Sequence, residues 1–346
     1  MSKFIRILSI DGGGIRGIIP GQILALLEDK LQKRTGNPEA RIADFFDFFA
    51  GTSTGGILTC IYLCPDPQNP ARPRFRASEA VEFYQERGKK IFSRNLWQKI
   101  RSLWGIIDEK YSAEPLEKLL ANYFLDLKLS DLLKACLIPA YDIHKRRAFF
   151  FTQHDAKVDK KSDFFIRDVA RATSAAPTFF EVAKVTSLAN NFYPLIDGGV
   201  FANNPALCAY AEVRTKLKDK LSEAEPASGN PAEKTAVLLS LGTGNLKEKY
   251  DYEKAKDWGK IQWVRPVINI TMTGVAETVD FQVNQVFDAL NKREQYLRIN
   301  PVIRNNSPMA VMDNTSDENL DILSKFGAEI AQNYSKKLDE FIEFLL

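Results

Sequence analysis

Apolar and polar positions along this chain follow two rhythms in succession. Short, nearly continuous apolar runs end in glycine turns, and behind each turn apolar residues recur at helical spacing. FIRILSI (4–10) predicts a buried strand, and DGGGIRG (11–17) the turn. In IIPGQILALLEDKLQKRTG, positions Ile23, Leu26, Leu27, Lys30 and Leu31 keep helical spacing until Gly36 closes the run. The pattern repeats at once: DFFDFFA (44–50) predicts a second strand and GGILTCIYLC (55–64) a buried helix. Strand, glycine turn and helix, twice over, is the grammar of an α/β fold with a largely parallel sheet.

Further on, 65–76 reads as a loop and about 77–127 as a mixed helical region. CLIPAYDI (136–143) and RAFFFTQ (147–153) are strand-like, FIRDVARATSAAP (165–177) is a helix stopped by Pro177, and YPLIDGGV (193–200) is a strand entering another glycine turn. Residues 222–234 read as a solvated loop, TAVLLSLGTG (235–244) as a buried strand with its turn, and 317–346 as an amphipathic helix or a pair of them. With no internal repeat and no long linker, a single domain over 1–346 is expected.

Composition narrows the function. A net charge of +3 on 346 residues leaves no global nucleic-acid footprint. The four cysteines, Cys60, Cys64, Cys136 and Cys208, form no CxxC pair and have no histidine beside them, which argues against a zinc site. Cys60 and Cys64 read as buried helix positions. The opening MSKFIRILSI is a poor signal peptide, and no apolar run approaches the roughly 20 residues needed to span a bilayer. A soluble, cytoplasmic protein is the expectation.

Three stretches carry candidate chemistry. Gly51-Thr52-Ser53-Thr54-Gly55 is a G-x-S-x-G sequence between a strand and a helix, the setting of a nucleophile elbow. There the following helix directs free N–H groups and its positive end at the serine. DGGGIRG matches a dinucleotide fingerprint as Gly12-x-Gly14-x-x-Gly17, but no acidic residue closes the second strand, which ends in the Ser53 turn instead. The other use of consecutive glycines is an oxyanion hole of unhindered N–H groups, to which Thr54 N–H would add a donor. Arg16 either adds positive charge there or anchors the loop.

The third stretch concerns the base. The only histidines are His144 and His154, so no acid–histidine arrangement in the α/β-hydrolase order is possible after residue 154, and a different order stays open. Both sit in polar, loop-like surroundings that suit a surface or structural role. Asp197, at the end of an apolar strand and before two glycines, is the best candidate for a general base, although a turn-forming role also fits. A free aspartate titrates near about 3.9, and burial would raise that toward neutrality. One oxyanion donor supplies roughly 2.7–4 kcal/mol, enough to make a serine–carboxylate pair workable.

Taken together, SIDGGGIRGIIP, GTSTGG, RATSAAPTFFE, DGGVFANNP and SLGTG stand in the order and spacing of the patatin-like phospholipases, and MDNTSDENLDIL resembles that family's C-terminal pattern. The matches run from residue 5 to about 330. The resemblance implies a three-layer α/β/α sandwich and a lipid acyl hydrolase with a Ser–Asp dyad. On it, Ser53 matches the nucleophile and Asp197 its partner. Gly13 and Gly14 match the oxyanion loop, and Arg16 matches that loop's basic position. The implied reaction is of phospholipase A type, on glycerophospholipids or galactolipids, through an acyl-enzyme. It needs no cofactor and no metal, and calcium independence is expected. A broad carboxylesterase and a non-catalytic lipid-binding or storage protein are the alternatives.

The expected partners are a lipid substrate and, transiently, a membrane or lipid-aggregate surface. KKIFSRNLWQKIRSLWGII (89–107) spaces Phe92, Leu96, Ile100, Leu103, Trp104 and Ile107 helically among basic residues. Trp97 and Trp104 are therefore candidate lipid contacts in a lid-like or surface-binding element. A core-packed helix with a solvated basic face is the other reading.

Overall fold

The computed structural model describes residues 4–91, 112–216, 235–246, 249–304 and 307–346. The segment carrying Trp97 and Trp104 lies outside the described residues, as does the loop read at 222–234 up to its last residue.

Among the described residues the strands are β1 (Phe4–Ile10), β2 (Phe48–Gly51), β3 (Ala135–Asp142), β4 (Arg147–Thr152), β5 (Ala183–Thr186), β6 (Phe192–Asp197), β7 (Thr235–Leu241), β8 (Asn245–Leu246), β9 (Tyr296–Ile299) and β10 (Val302–Ile303). The main sheet runs β5-β6-β3-β2-β1-β7-β9, with β4 also on β3, while β8 and β10 form a small sheet of their own. Its middle is parallel: β1 pairs with β2 from Ile7↔Phe48 to Ile10↔Gly51, and with β7 from Phe4↔Thr235 to Ile10↔Leu241. The β4, β5 and β6 pairings are antiparallel.

Both faces of the sheet are covered, which explains why its central strands read as unbroken apolar runs. In β1, Leu8 and Ile10 join one core and Ile5 and Ile7 the other; Leu239 and Leu238 of β7 divide the same way. The first core packs against helices Ile18–Thr35, Thr54–Leu63 and Ala77–Ile91 and the C-terminal pair Asp317–Asn333 and Ser335–Leu345. The second packs against Ala206–Lys216 and the long helix Lys260–Ala289. The result is an α/β/α sandwich.

Local chemistry sets the limits of several elements. Gly36 ends the first helix in a left-handed conformation with φ 65°. The strand expected over 44–50 is shorter, because 42–45 forms a helical turn in which Asp44 accepts the Arg41 N–H. The helix before Pro177 already ends at Thr173. The tail is a pair of helices that divides at Tyr334. Its second helix is tied back by Lys30–Asp339 and by Arg6 Nη1 donating to the Leu345 carbonyl. No described helix is long and apolar enough to cross a membrane.

Candidate active site

Ser53 is the hinge between β2 and the elbow helix Thr54–Leu63, with φ 54° and ψ −120°. That is a strained place for a residue with a Cβ, of the kind that persists only where surroundings enforce it. Its N–H donates to Thr173 Oγ1 at 2.9 Å, and Thr173 Oγ1 donates to the Pro139 carbonyl at 2.7 Å. Thr52 Oγ1 donates to Ala202 O at 2.6 Å. Glycine is obligatory at 55: a Cβ there would lie 2.2 Å from the Ile10 carbonyl, so only a bare backbone lets the elbow close onto the end of β1.

Sheet topology brings Asp197 to this serine. β4 lines one edge of β3 over Leu137–Asp142, so β2 and β6 share the other edge. β2 stops pairing at Ala50↔Leu137, and β6 enters from the opposite direction with Asp197 across from Ala140. Counted onward, Ser53 would face Ala140 had β2 continued. The chain turns away at the elbow and Asp197 takes that place. Ser53 Oγ donates to Asp197 Oδ2 at 2.6 Å, and Gly199 N–H donates to Oδ1 at 2.6 Å. Burial pushes the Asp197 carboxyl up to about 7, against the hydrogen bonds from Ser53 and Gly199, which lower it.

The glycine loop lies over the serine: a Cβ on Gly12 would stand 3.3 Å from Ser53 Cβ. Gly12 N–H donates to Asn203 O, Ile15 N–H to Met312 O, and Thr243 Oγ1 to Gly12 O at 2.7 Å. Those bonds leave the N–H groups of Gly13 and Gly14 without an acceptor among the described residues, and both glycines line the same cavity as Ser53 and Thr54. Thr54 opens the elbow helix, so its N–H has no intrahelical partner. Arg16 is placed differently. It is buried, its Nε donates to Gly13 O at 3.4 Å, and it lines a second cavity with Asp11, Asn203 and Thr243, on the other side of the glycine loop. It holds the loop from behind and does not line the Ser53 cavity.

The cavity over Ser53 measures about 260 Å³. Its walls are almost wholly apolar, with Ile57, Leu116, Phe179, Phe180, Val267 and Met272 prominent. Tyr84 also lines it; Thr54 Oγ1 donates to Tyr84 OH at 2.5 Å, and that hydroxyl donates to Thr54 O at 3.0 Å. Neither histidine is among the lining residues. His154 Nε2 meets Glu212 at 2.8 Å, and the tertiary structure draws His154, Asp155 and Glu212 together as a possible cation cluster. Lys216 bonds Asp155 and Glu212 there, so an ammonium group already neutralises the carboxylates.

Sequence reading missed Thr173, Tyr84 and the wall supplied by Lys260–Ala289. Thr173 sits inside the quoted RATSAAP block, so its neighbourhood carried a signal. The long helix was hidden by Pro266 and by apolar residues on more than one of its faces.

A family model described as "Patatin-like phospholipase" matches residues 8–210. Patatin-like protein 2 of Arabidopsis thaliana is 40% identical over 95% of this chain and 83% of its own length. Patatin-like protein 2 of Oryza sativa subsp. japonica is 36% identical over 97% and 86%, and Patatin group J-1 of Solanum tuberosum is 31% identical over 100% and 90%. With the family match covering more than half of its residues and its relatives aligned along nearly all of it, this chain belongs to the patatin-like phospholipase family.

Proposed function

We propose that the protein is a serine lipid acyl hydrolase of phospholipase A type, with Ser53 as nucleophile and Asp197 as its base. The observation that carries this reading is the 2.6 Å bond from Ser53 Oγ to Asp197 Oδ2 at the floor of an apolar cavity. Asp197, ionised above about 7, takes the Oγ proton as Oγ bonds to the ester carbonyl carbon. The carbonyl oxygen becomes an oxyanion facing the N–H groups of Gly13, Gly14 and Thr54 and the positive end of the elbow helix. Protonated Asp197 returns the proton to the departing glycerol oxygen, leaving an acyl-Ser53 ester. Water, deprotonated by Asp197, then attacks the acyl carbonyl carbon, the bond to Ser53 Oγ breaks, Oγ takes the proton back from Asp197, and the fatty acid is released.

The apolar walls suit an acyl chain more than a polar substrate, since a chain entering them leaves water without stranding a polar group. Arg16, behind the loop, acts on Gly13 and adds its charge at a distance. The test is fatty-acid release from phospholipid and galactolipid vesicles by wild type, Ser53→Ala and Asp197→Asn, each checked for folding. Loss of release in both variants is expected. Activity persisting in folded Asp197→Asn would remove the carboxylate from the mechanism.

A further inference from the structure

The long helix Lys260–Ala289 has two apolar faces. One is buried and carries Ala276, Val283 and Phe287 at 7%, 1% and 1% exposure. Nearly opposite it runs a second stripe in which Trp263, Val267, Ile270 and Phe281 remain 39%, 47%, 49% and 65% exposed. Spacings of four, three and eleven residues keep these four within a narrow arc of a 3.6-residue helix, along about 27 Å of its length. A surface helix ordinarily turns charged residues to water on that side. Here PVINITMTGVA (266–276) holds no charged residue. At the N-terminal end Trp263 packs edge-on against Trp258 at 5.1 Å, and Trp258 against Tyr250 at 5.2 Å, which gives the stripe an aromatic head.

We propose that this stripe is the face on which the protein docks to a phospholipid bilayer, with the helix lying in the plane of the interface. The proposal rests on the lipid acyl hydrolase reading. What selects a bilayer is continuity with the Ser53 cavity. Val267 is both a member of the exposed stripe and part of the cavity wall, so whatever covers the stripe also meets the cavity. A bilayer in that position delivers acyl chains without passing them through water. Indole rings at the edge of such a face match the amphipathic boundary between head groups and acyl chains. Because the stripe carries no charge over 266–276, and Glu277, which follows on the same side, accepts from Asn245 Nδ2, apolar insertion supplies the attachment and a zwitterionic surface suffices.

The experiment compares wild type with Trp263→Ser/Ile270→Ser. Sedimentation with phosphatidylcholine vesicles reads docking, fatty-acid release from those vesicles reads interfacial turnover, and a soluble short-chain ester reads the site without an interface. The variant is expected to lose roughly tenfold or more in vesicle binding and vesicle hydrolysis while its ester hydrolysis stays within about twofold. Wild-type binding is expected to survive about 1 M salt, where charge attractions are screened beyond about 3 Å. Undiminished vesicle binding by the variant would overturn the proposal, as would release of wild type by salt. A wild-type dimer that the variant dissolves without change in vesicle binding would make the stripe a self-association face. If wild type cleaves neither lipid nor ester, the hydrolase reading fails, and sedimentation still decides the docking face.

Discussion

Replacing Asp197 with asparagine should stabilise the fold while abolishing turnover, and the size of the effect should depend on pH. Burial raises this carboxyl from 3.8 to about 7. Between those values the folded chain keeps a proton that the unfolded chain has released. The group's contribution is therefore favourable at low pH and is lost as pH rises toward 7. At about 1.4 kcal/mol per unit, ionised Asp197 costs the fold roughly 4 kcal/mol above neutrality. Asparagine has the same shape and never ionises.

Asp197→Asn should accordingly exceed wild type by up to about 4 kcal/mol near pH 8, and the advantage should vanish near pH 4. Melting temperatures of both proteins across that range measure it. The same ionisation should appear in kinetics, with kcat/KM of wild type on a soluble ester rising to a plateau through about pH 7, because only the carboxylate accepts the serine proton. Parallel melting curves at all pH values, or a wild-type rate indifferent to pH between about 5 and 8, would refute the reasoning.

Other variants test the frame around Ser53 and Asp197. Thr173→Val should cost about 1–3 kcal/mol in urea unfolding, because it leaves the Ser53 N–H and the Pro139 carbonyl unpaired. Steady-state kinetics should then show a lower kcat on a soluble ester with KM little changed, since the residue positions the elbow and does not line the cavity. Arg298→Met strands Asp11, which its guanidinium holds at 2.8 and 2.5 Å, and should destabilise the protein by about 3–5 kcal/mol. Adding Asp11→Asn should restore part of that loss, and a double variant no more stable than Arg298→Met alone would count against the pair.

How much was legible beforehand follows from which interactions are local. β1, the elbow helix and the C-terminal helices could be read because burial on both sheet faces writes apolar runs into strands and 3.6-residue periodicity into helices. Ser53 was legible because a tight strand-to-helix turn needs glycine in fixed places, as Gly55 beneath the Ile10 carbonyl illustrates. Asp197 was legible as a candidate from its position at a strand end. Trp97 and Trp104, by contrast, lie outside the described residues, and the exposed apolar stripe lies on a helix that Pro266 and its apolar faces concealed.

By itself, the sequence determined which residues could form the turns, which runs had to be buried, and which few polar groups stood where chemistry was possible. The tertiary structure alone decided their meeting. Asp197 reaches Ser53, 144 positions away, because β6 continues the lane that β2 leaves. The glycine loop is held there by Asn203, Thr243 and Met312 from three later segments. Arg16, close in sequence to Gly13 and Gly14, lines a different cavity from theirs, and its Nε donates to the Gly13 carbonyl. Such placements depend on strand order and on contacts across hundreds of residues, and local periodicity carries no record of either.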